Sequence, residues 1–244
     1  MTDEAISNTA HCSKENASPA DLGPLDQFAA HQKEVTIACE DSFELSCTLF
    51  VPRQPVRLKV LIAGALGVPQ AYYAHFAEWL AGQGAIVMTF DPRGCGRSRP
   101  KEFQRSLRGF EADFLIWARS DFAAAIDALD AMAASVPLVV LGHSLGAQLA
   151  GMTHPKAQNR IARLVAIASG AGYWREWAPQ SRRIAPWLFY GLGPALTALY
   201  GYFPGKRFGI VGDLPAGVMR QWSRWCKHRE FSWGVSPQDV GLSY

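Results

Sequence analysis

The run Val136-Pro137-Leu138-Val139-Val140-Leu141-Gly142-His143-Ser144-Leu145-Gly146-Ala147 decides how this chain folds. Its first six residues are apolar and too few for a helix, so they read as a buried strand. Its end opens a helix over Leu145–Thr153, in which Gly146, Ala147, Ala150 and Gly151 keep one side small. Between the two lies Gly-x-Ser-x-Gly over 142–146. Composition alone would produce that pattern in roughly one chain in ten of this length, so the motif by itself proves little. The setting of strand, sharp turn and helix is what gives it meaning. A turn that tight has no room for Cβ atoms at 142 and 146. It leaves Ser144 projecting at the carboxyl end of the strand, above the positive end of a helix. The competing reading is an ordinary Gly/Ser turn.

Outward from this run the pattern is regular. Lys33–Cys39 and Phe43–Val51 read as a hairpin turning at Glu40-Asp41-Ser42. Leu58–Ala63 and Ala85–Phe90 are short apolar strands. Tyr73, Phe76, Ala77 and Leu80 recur at helical spacing, predicting a helix from Pro69 to Ala81 that stops at Gly82/Gly84. A second helix carries Phe122, Ala125, Ile126 and Leu129 on one face, and Leu164–Ala168 is a sixth strand. Apolar strands alternating with amphipathic helices imply an α/β fold, with a mostly parallel sheet covered on both faces.

The 244 residues are 49% hydrophobic and carry a net charge of +3, which suits a folded domain and excludes a strongly basic nucleic-acid binder. The five cysteines (12, 39, 47, 95 and 226) are scattered, with no Cys-x-x-Cys, so a disulfide framework or zinc site is not expected. Met1 is followed by Thr2, Asp3 and Glu4 rather than a basic, then apolar run, and a cytoplasmic location is the expectation. Three regions emerge: a polar tail over 1–30, an α/β core over 31–170, and a segment over 171–244. That last segment holds nine Lys/Arg against four Asp/Glu and 15 of the 28 aromatic residues.

Three segments, in order, resemble the α/β-hydrolases, in their monoacylglycerol-lipase-like and serine-aminopeptidase-like branch. They are the strand Val60-Leu61-Ile62-Ala63 running into Gly64-Ala65, the loop Asp91-Pro92-Arg93-Gly94-Cys95-Gly96-Arg97-Ser98, and the turn at 142–146. The resemblance covers about 33–170. It implies that Ser144 attacks an acyl carbonyl and that the backbone N–H groups of Leu145 and Ala65 hold the oxyanion. The family often has His-Gly before the second donor, where this chain has Ala63-Gly64. The Asp91–Ser98 loop is implied to be structural, with Asp91 bonding backbone N–H groups; Arg93 and Arg97 as an anion site is the competing reading. No cofactor or metal is implied.

In that family the triad's acid and histidine follow the serine, after a seventh and an eighth strand. Only six strands are legible here, so the expectation is a truncated or degenerate member that lacks the C-terminal strands and is a poor catalyst. Asp213 and His228 stand in the right order. Each also has a plainer reading: Asp213 as the N-cap of a helix with Pro215 in its first turn, His228 as a surface residue at a basic helix end. His143 is adjacent to Ser144 and an improbable base. The segment from Gly172 to Trp233 falls where the family inserts a helical lid, and its aromatic residues suit a cover over an apolar pocket. Ile184–Gly205 is 22 residues without a charge, but Pro186, Gly191, Gly193, Pro194 and Gly201 argue against a membrane span and leave membrane-surface contact through the lid open. The expected function is that of a serine hydrolase acting on small-molecule carboxylic esters or amides. The alternative is a non-catalytic member that binds a small apolar ligand.

Overall fold

A computed structural model describes residues 31–231; the tail over 1–30, together with Trp233 and Asp239, lies outside the described residues. The chain opens with the hairpin β1 (His31–Ala38) and β2 (Glu44–Val51), followed by β3 (Leu58–Ala63). A 3-10 turn over Gln70–Tyr73 leads into α1 (Ala74–Gly82), then β4 (Ala85–Phe90). The short α2 (Phe114–Ile116) runs through a π-helical stretch, Trp117–Phe122, into α3 (Ala123–Met132). Then come β5 (Leu138–His143), α4 (Leu145–Met152), α5 (Pro155–Gln158) and β6 (Ile161–Ile167).

The six strands form one sheet in the order β1-β2-β4-β3-β5-β6. β2 is antiparallel to both neighbours, while β4, β3, β5 and β6 run parallel. Both faces of the central strands are covered. Tyr73, Ala77 and Ala81 pack on Val60, Ile62 and Val87 on one side. Trp117, Phe122, Ile126 and Leu129 pack with Leu61, Met88 and Val140 on the other. This is why β3 and β4 read as unbroken apolar runs. The exception, Lys59, is fully buried, and its Nζ donates to the Asp130 carboxylate and the Ala133 carbonyl, both at 2.7 Å, closing the end of α3. Among the described residues β6 is an edge strand, with Leu164, Val165 and Ile167 close to half exposed.

Beyond β6 the chain forms α6 (Pro179–Pro186), a π-helical stretch over Trp187–Leu192, α7 (Gly193–Tyr200), the short strands β7 (Tyr202–Phe203) and β8 (Leu214–Pro215), and α8 (Ala216–Cys226). Phe189 packs edge-on to both Trp177 and Trp222, at 5.3 and 5.0 Å between ring centroids. Trp225 reaches Phe114 at 5.4 Å. The aromatic segment therefore shares the core of the sheet domain instead of forming one of its own.

Two sequence expectations change. β6 starts at Ile161, three residues earlier than expected, because an exposed edge tolerates Arg163 inside the strand. Asp213 does not cap a helix: α8 begins at Ala216 behind Pro215, and the Asp213 carboxylate is held by Arg99 Nη1 at 3.1 Å and by the Lys206 N–H at 3.2 Å.

Candidate active site

Ser144 stands between β5 and α4 with φ 53° and ψ −116°, a conformation an L residue adopts only when its surroundings impose it. Its N–H donates to the Ile167 carbonyl at 2.9 Å, and its own carbonyl accepts from the Ala147 N–H at 3.2 Å. The two glycines of the motif are required sterically. A Cβ at Gly142 would lie 2.3 Å from the Ala147 backbone N, and one at Gly146 only 2.0 Å from the Ala63 carbonyl oxygen. The same close approach presses α4 against the end of β3, bringing the loop after β3 beside the serine.

Ser144 opens into a cavity of about 330 Å³. Leu66, Leu145, Phe114, Trp177, Trp222 and Phe231 are among the residues that line it. Among the described residues that line it there is no histidine, and the carboxylate is that of Glu176. Cys226 also lines it, but burial raises that thiol far above its ordinary value, so it is no thiolate nucleophile at neutral pH. His228 is exposed just past α8, and His154 lines a different cavity beside β1 and α3. Neither Asp213 nor His228 lines the serine's cavity.

Ala65 sits at the loop after β3, but its N–H donates to the Tyr73 hydroxyl at 2.9 Å. That same hydroxyl is 2.9 Å from His143 Nδ1. Sequence reading missed this contact, because no spacing rule links residues 65, 73 and 143. The one available signal was Gly64, whose missing Cβ leaves room for the Tyr73 ring, 2.9 Å from where that atom would sit.

The Asp91–Ser98 loop is structural, as expected. Asp91 accepts from the backbone N–H groups of Gln70 and Arg97, at 2.8 and 2.9 Å. Arg93 is buried; its Nε donates to Asp121 at 2.7 Å and its Nη groups to Asp41 and Ser120. Arg97 pairs with Glu34 and donates to Thr48 Oγ1. Both arginines are committed: Arg93 ties the hairpin turn and the Trp117–Phe122 stretch to the loop, and Arg97 ties β1 and β2 to it.

The sequence profile of the family described as serine aminopeptidase, S33, matches residues 54–216, more than half of the chain. The chain belongs to this family of α/β-hydrolases. Solved structures agree on the fold. A thermostable carboxyl esterase from Bacillus coagulans, in complex with glycerol, superposes with a TM-score of 0.52 at 15% identity, over 70% of this chain and 55% of that one. Brefeldin A esterase, described as a bacterial homologue of human hormone-sensitive lipase, gives 0.50 at 18% identity, over 88% of this chain and 55% of that one. The chain thus spans about half the length of these hydrolases. No curated protein matches it in sequence. No helix among the described residues is long and apolar enough to cross a membrane.

Proposed function

We propose that this chain carries a serine-hydrolase site for small carboxylic esters or amides, with Ser144 as nucleophile. The observation that carries the proposal is the strained conformation of Ser144, which lines a cavity and stands between two glycines whose close backbone contacts leave no room for a Cβ. Strain of this kind persists where the surrounding structure enforces it, and it presents the hydroxyl where a carbonyl can reach it. The Leu145 N–H, at the start of α4, is one oxyanion donor, aided by the helix's positive end. Ala65 is the second: its N–H keeps the Tyr73 hydroxyl as one acceptor and takes the oxyanion as the other, a three-centre bond that leaves the loop anchored. The lining mixes aromatic rings with Gln148 and Glu176, whose carboxylate disfavours an acidic group on the substrate.

Residues 171–231 act in this reading as a lid over the 31–170 core, with Trp177, Trp222 and Phe231 as its underside. Its outer face carries Ile184, Trp187, Tyr190 and Leu199, all more than half exposed, which suits weak contact with a membrane surface. The buried free thiols of Cys39, Cys47 and Cys226 suit a reducing compartment, which we take to be the cytoplasm.

A fluorophosphonate probe tests the site directly. Labelling of the wild-type chain that disappears in Ser144→Ala, together with turnover of p-nitrophenyl acetate or butyrate, supports the hydrolase. Absence of labelling in well-folded protein supports instead a member that binds a small apolar ligand without turning it over.

A further inference from the structure

Tyr73 is the residue whose placement the hydrolase reading has not used. It ends the 3-10 turn before α1, is 8% exposed, and its hydroxyl touches both segments whose spacing defines the site. One is the loop after β3, through the Ala65 N–H at 2.9 Å; the other is the end of β5, through His143 Nδ1 at 2.9 Å. The Tyr73 and His143 rings also meet edge-on, 6.0 Å between centroids and 81° apart. Donors and acceptors must be conserved at such a three-way junction. A backbone N–H only donates, so the Ala65 contact makes the tyrosine oxygen an acceptor. Burial holds the Tyr73 phenol above its ordinary value, so at neutral pH the oxygen still carries a proton. The nearest acceptor for that proton is His143 Nδ1, provided the imidazole keeps its own proton on Nε2.

We propose that Tyr73 is a positioning residue for the oxyanion site: its hydroxyl accepts from the Ala65 N–H and donates to His143 Nδ1, locking His143 in the Nε2–H form and holding the loop after β3 against the residue that precedes Ser144. This rests on the reading of Ser144 as a nucleophile. It adds to that reading a role for the His in the Gly-His-Ser-Leu-Gly run: His143 is not the base but the anchor for the residue that sets the second donor. Two junctions then fix the cavity's width, a steric one where Gly146 meets Ala63 and a polar one at Tyr73.

The test has two readouts. In ¹⁵N-histidine-labelled chain, the ring nitrogens of His143, assigned by comparison with His143→Gln, are expected to show Nε2 protonated and Nδ1 bare at neutral pH. In Tyr73→Phe that preference is lost and the Ala65 amide exchanges with solvent faster. In the same variant, the saturating rate of fluorophosphonate labelling falls about tenfold with half-saturation unchanged, the scale of one ordinary hydrogen bond. Finding Nδ1 protonated in the wild-type chain overturns the proposal, as does Tyr73→Phe labelling as fast as wild type while Ser144→Ala abolishes labelling. If the wild-type chain does not label at all, the hydrolase reading fails, and the histidine spectrum still decides whether the Tyr73 junction exists.

Discussion

The loop after β4 and the turn after β5 solve the same problem by opposite means. Each must hold a sharp bend at the carboxyl end of a parallel strand. The β4 loop does so with charge: Asp91 gathers backbone N–H groups, and Arg93 is clamped between Asp121, Asp41 and Ser120. The β5 turn does so by leaving side chains out: Gly142 and Gly146 let backbone touch backbone, and Ser144 carries the strain. A charged clamp near a nucleophile would compete for the oxyanion, whereas a steric one leaves the local field to α4 and the backbone donors. The two devices should therefore fail differently, one with a pH dependence and one without.

Of the two devices, the charged one carries the larger effect. Arg93→Met leaves a fully buried Asp121 with only the residue-93 backbone N–H and the Cys39 thiol, a defect that costs about 3–5 kcal/mol. Denaturant unfolding at pH 8 measures it. The loss should shrink at pH 5, where Asp121 can take up a proton instead of remaining an unpaired charge. A loss that does not change with pH would mean that the clamp works by packing alone.

On the steric side, Gly146→Ala puts a methyl group against the Ala63 carbonyl. We expect about 3 kcal/mol of destabilisation, at the upper end of overpacking costs, and the same loss at pH 5 and pH 8. If this variant melted like the wild type, the close approach of α4 to β3 would not be what shapes the turn.

Asp121 gives a sharper version of the contrast. Desolvation pushes its carboxyl up to about 6, outweighing the pull of Arg93. The native state then holds a proton that the unfolded chain has released, so this group's contribution is complete below about pH 4 and is lost as pH rises toward 6. Asp41 runs the other way: the hydrogen bond from Arg93 lowers it, and its contribution fades only as pH falls below the ordinary carboxylate range. Cys39, whose Sγ lies 3.7 Å from Asp121, is itself raised by burial to about 11 and stays neutral throughout. The free energy of denaturant unfolding from pH 4 to 7 should thus fall more steeply in the wild type than in Asp121→Asn, by about 2 kcal/mol. Parallel curves would place Asp121 at an ordinary value.

A smaller effect of opposite sign is expected at the serine itself. Glycine adopts φ 53° without penalty, so Ser144→Gly should stabilise the chain by about 1 kcal/mol while abolishing probe labelling. Ser144→Ala, which keeps a Cβ, abolishes labelling without that gain.

How much of this was legible beforehand follows the same division. The steric device is local, so the sequence announces it: Leu58–Ala63 and Ala85–Phe90 end where expected, and the two glycines stand beside the serine. The charged device is assembled from residues far apart in the chain. Arg93 could be read as structural, but nothing in the helical pattern around Phe122 points to Asp121 as its partner. Asp213 was misread for the same reason, since a local rule offered a helix cap while Arg99, 114 residues away, took the carboxylate. The π-helical stretches over Trp117–Phe122 and Trp187–Leu192 also leave no mark in a pattern read at 3.6 residues per turn. The Tyr73–His143 junction, 70 residues apart in sequence, is invisible by that logic as well.

The smallest effect tests the far side of β5. Val140, inside the sheet, is fully buried, whereas Val165 on neighbouring β6 is 44% exposed. Both belong to apolar runs, and sequence alone assigns them the same burial. Burial energy scales with the area removed from water, so the two positions should respond to lysine very differently. Val140→Lys puts an unpaired ammonium into the core and is expected to prevent folding. Val165→Lys can run its stem along the strand and keep its charge in water, so its cost should stay within about 0.5 kcal/mol. An edge strand with free N–H and C=O groups and aliphatic side chains is also a template for pairing with another chain, and a lysine there discourages it. Light scattering of concentrated Val165→Lys should therefore show less self-association than wild type, at an unchanged melting temperature. A loss of several kcal/mol in Val165→Lys would show that this face of β6 is covered in solution and that β6 is an interior strand like β5.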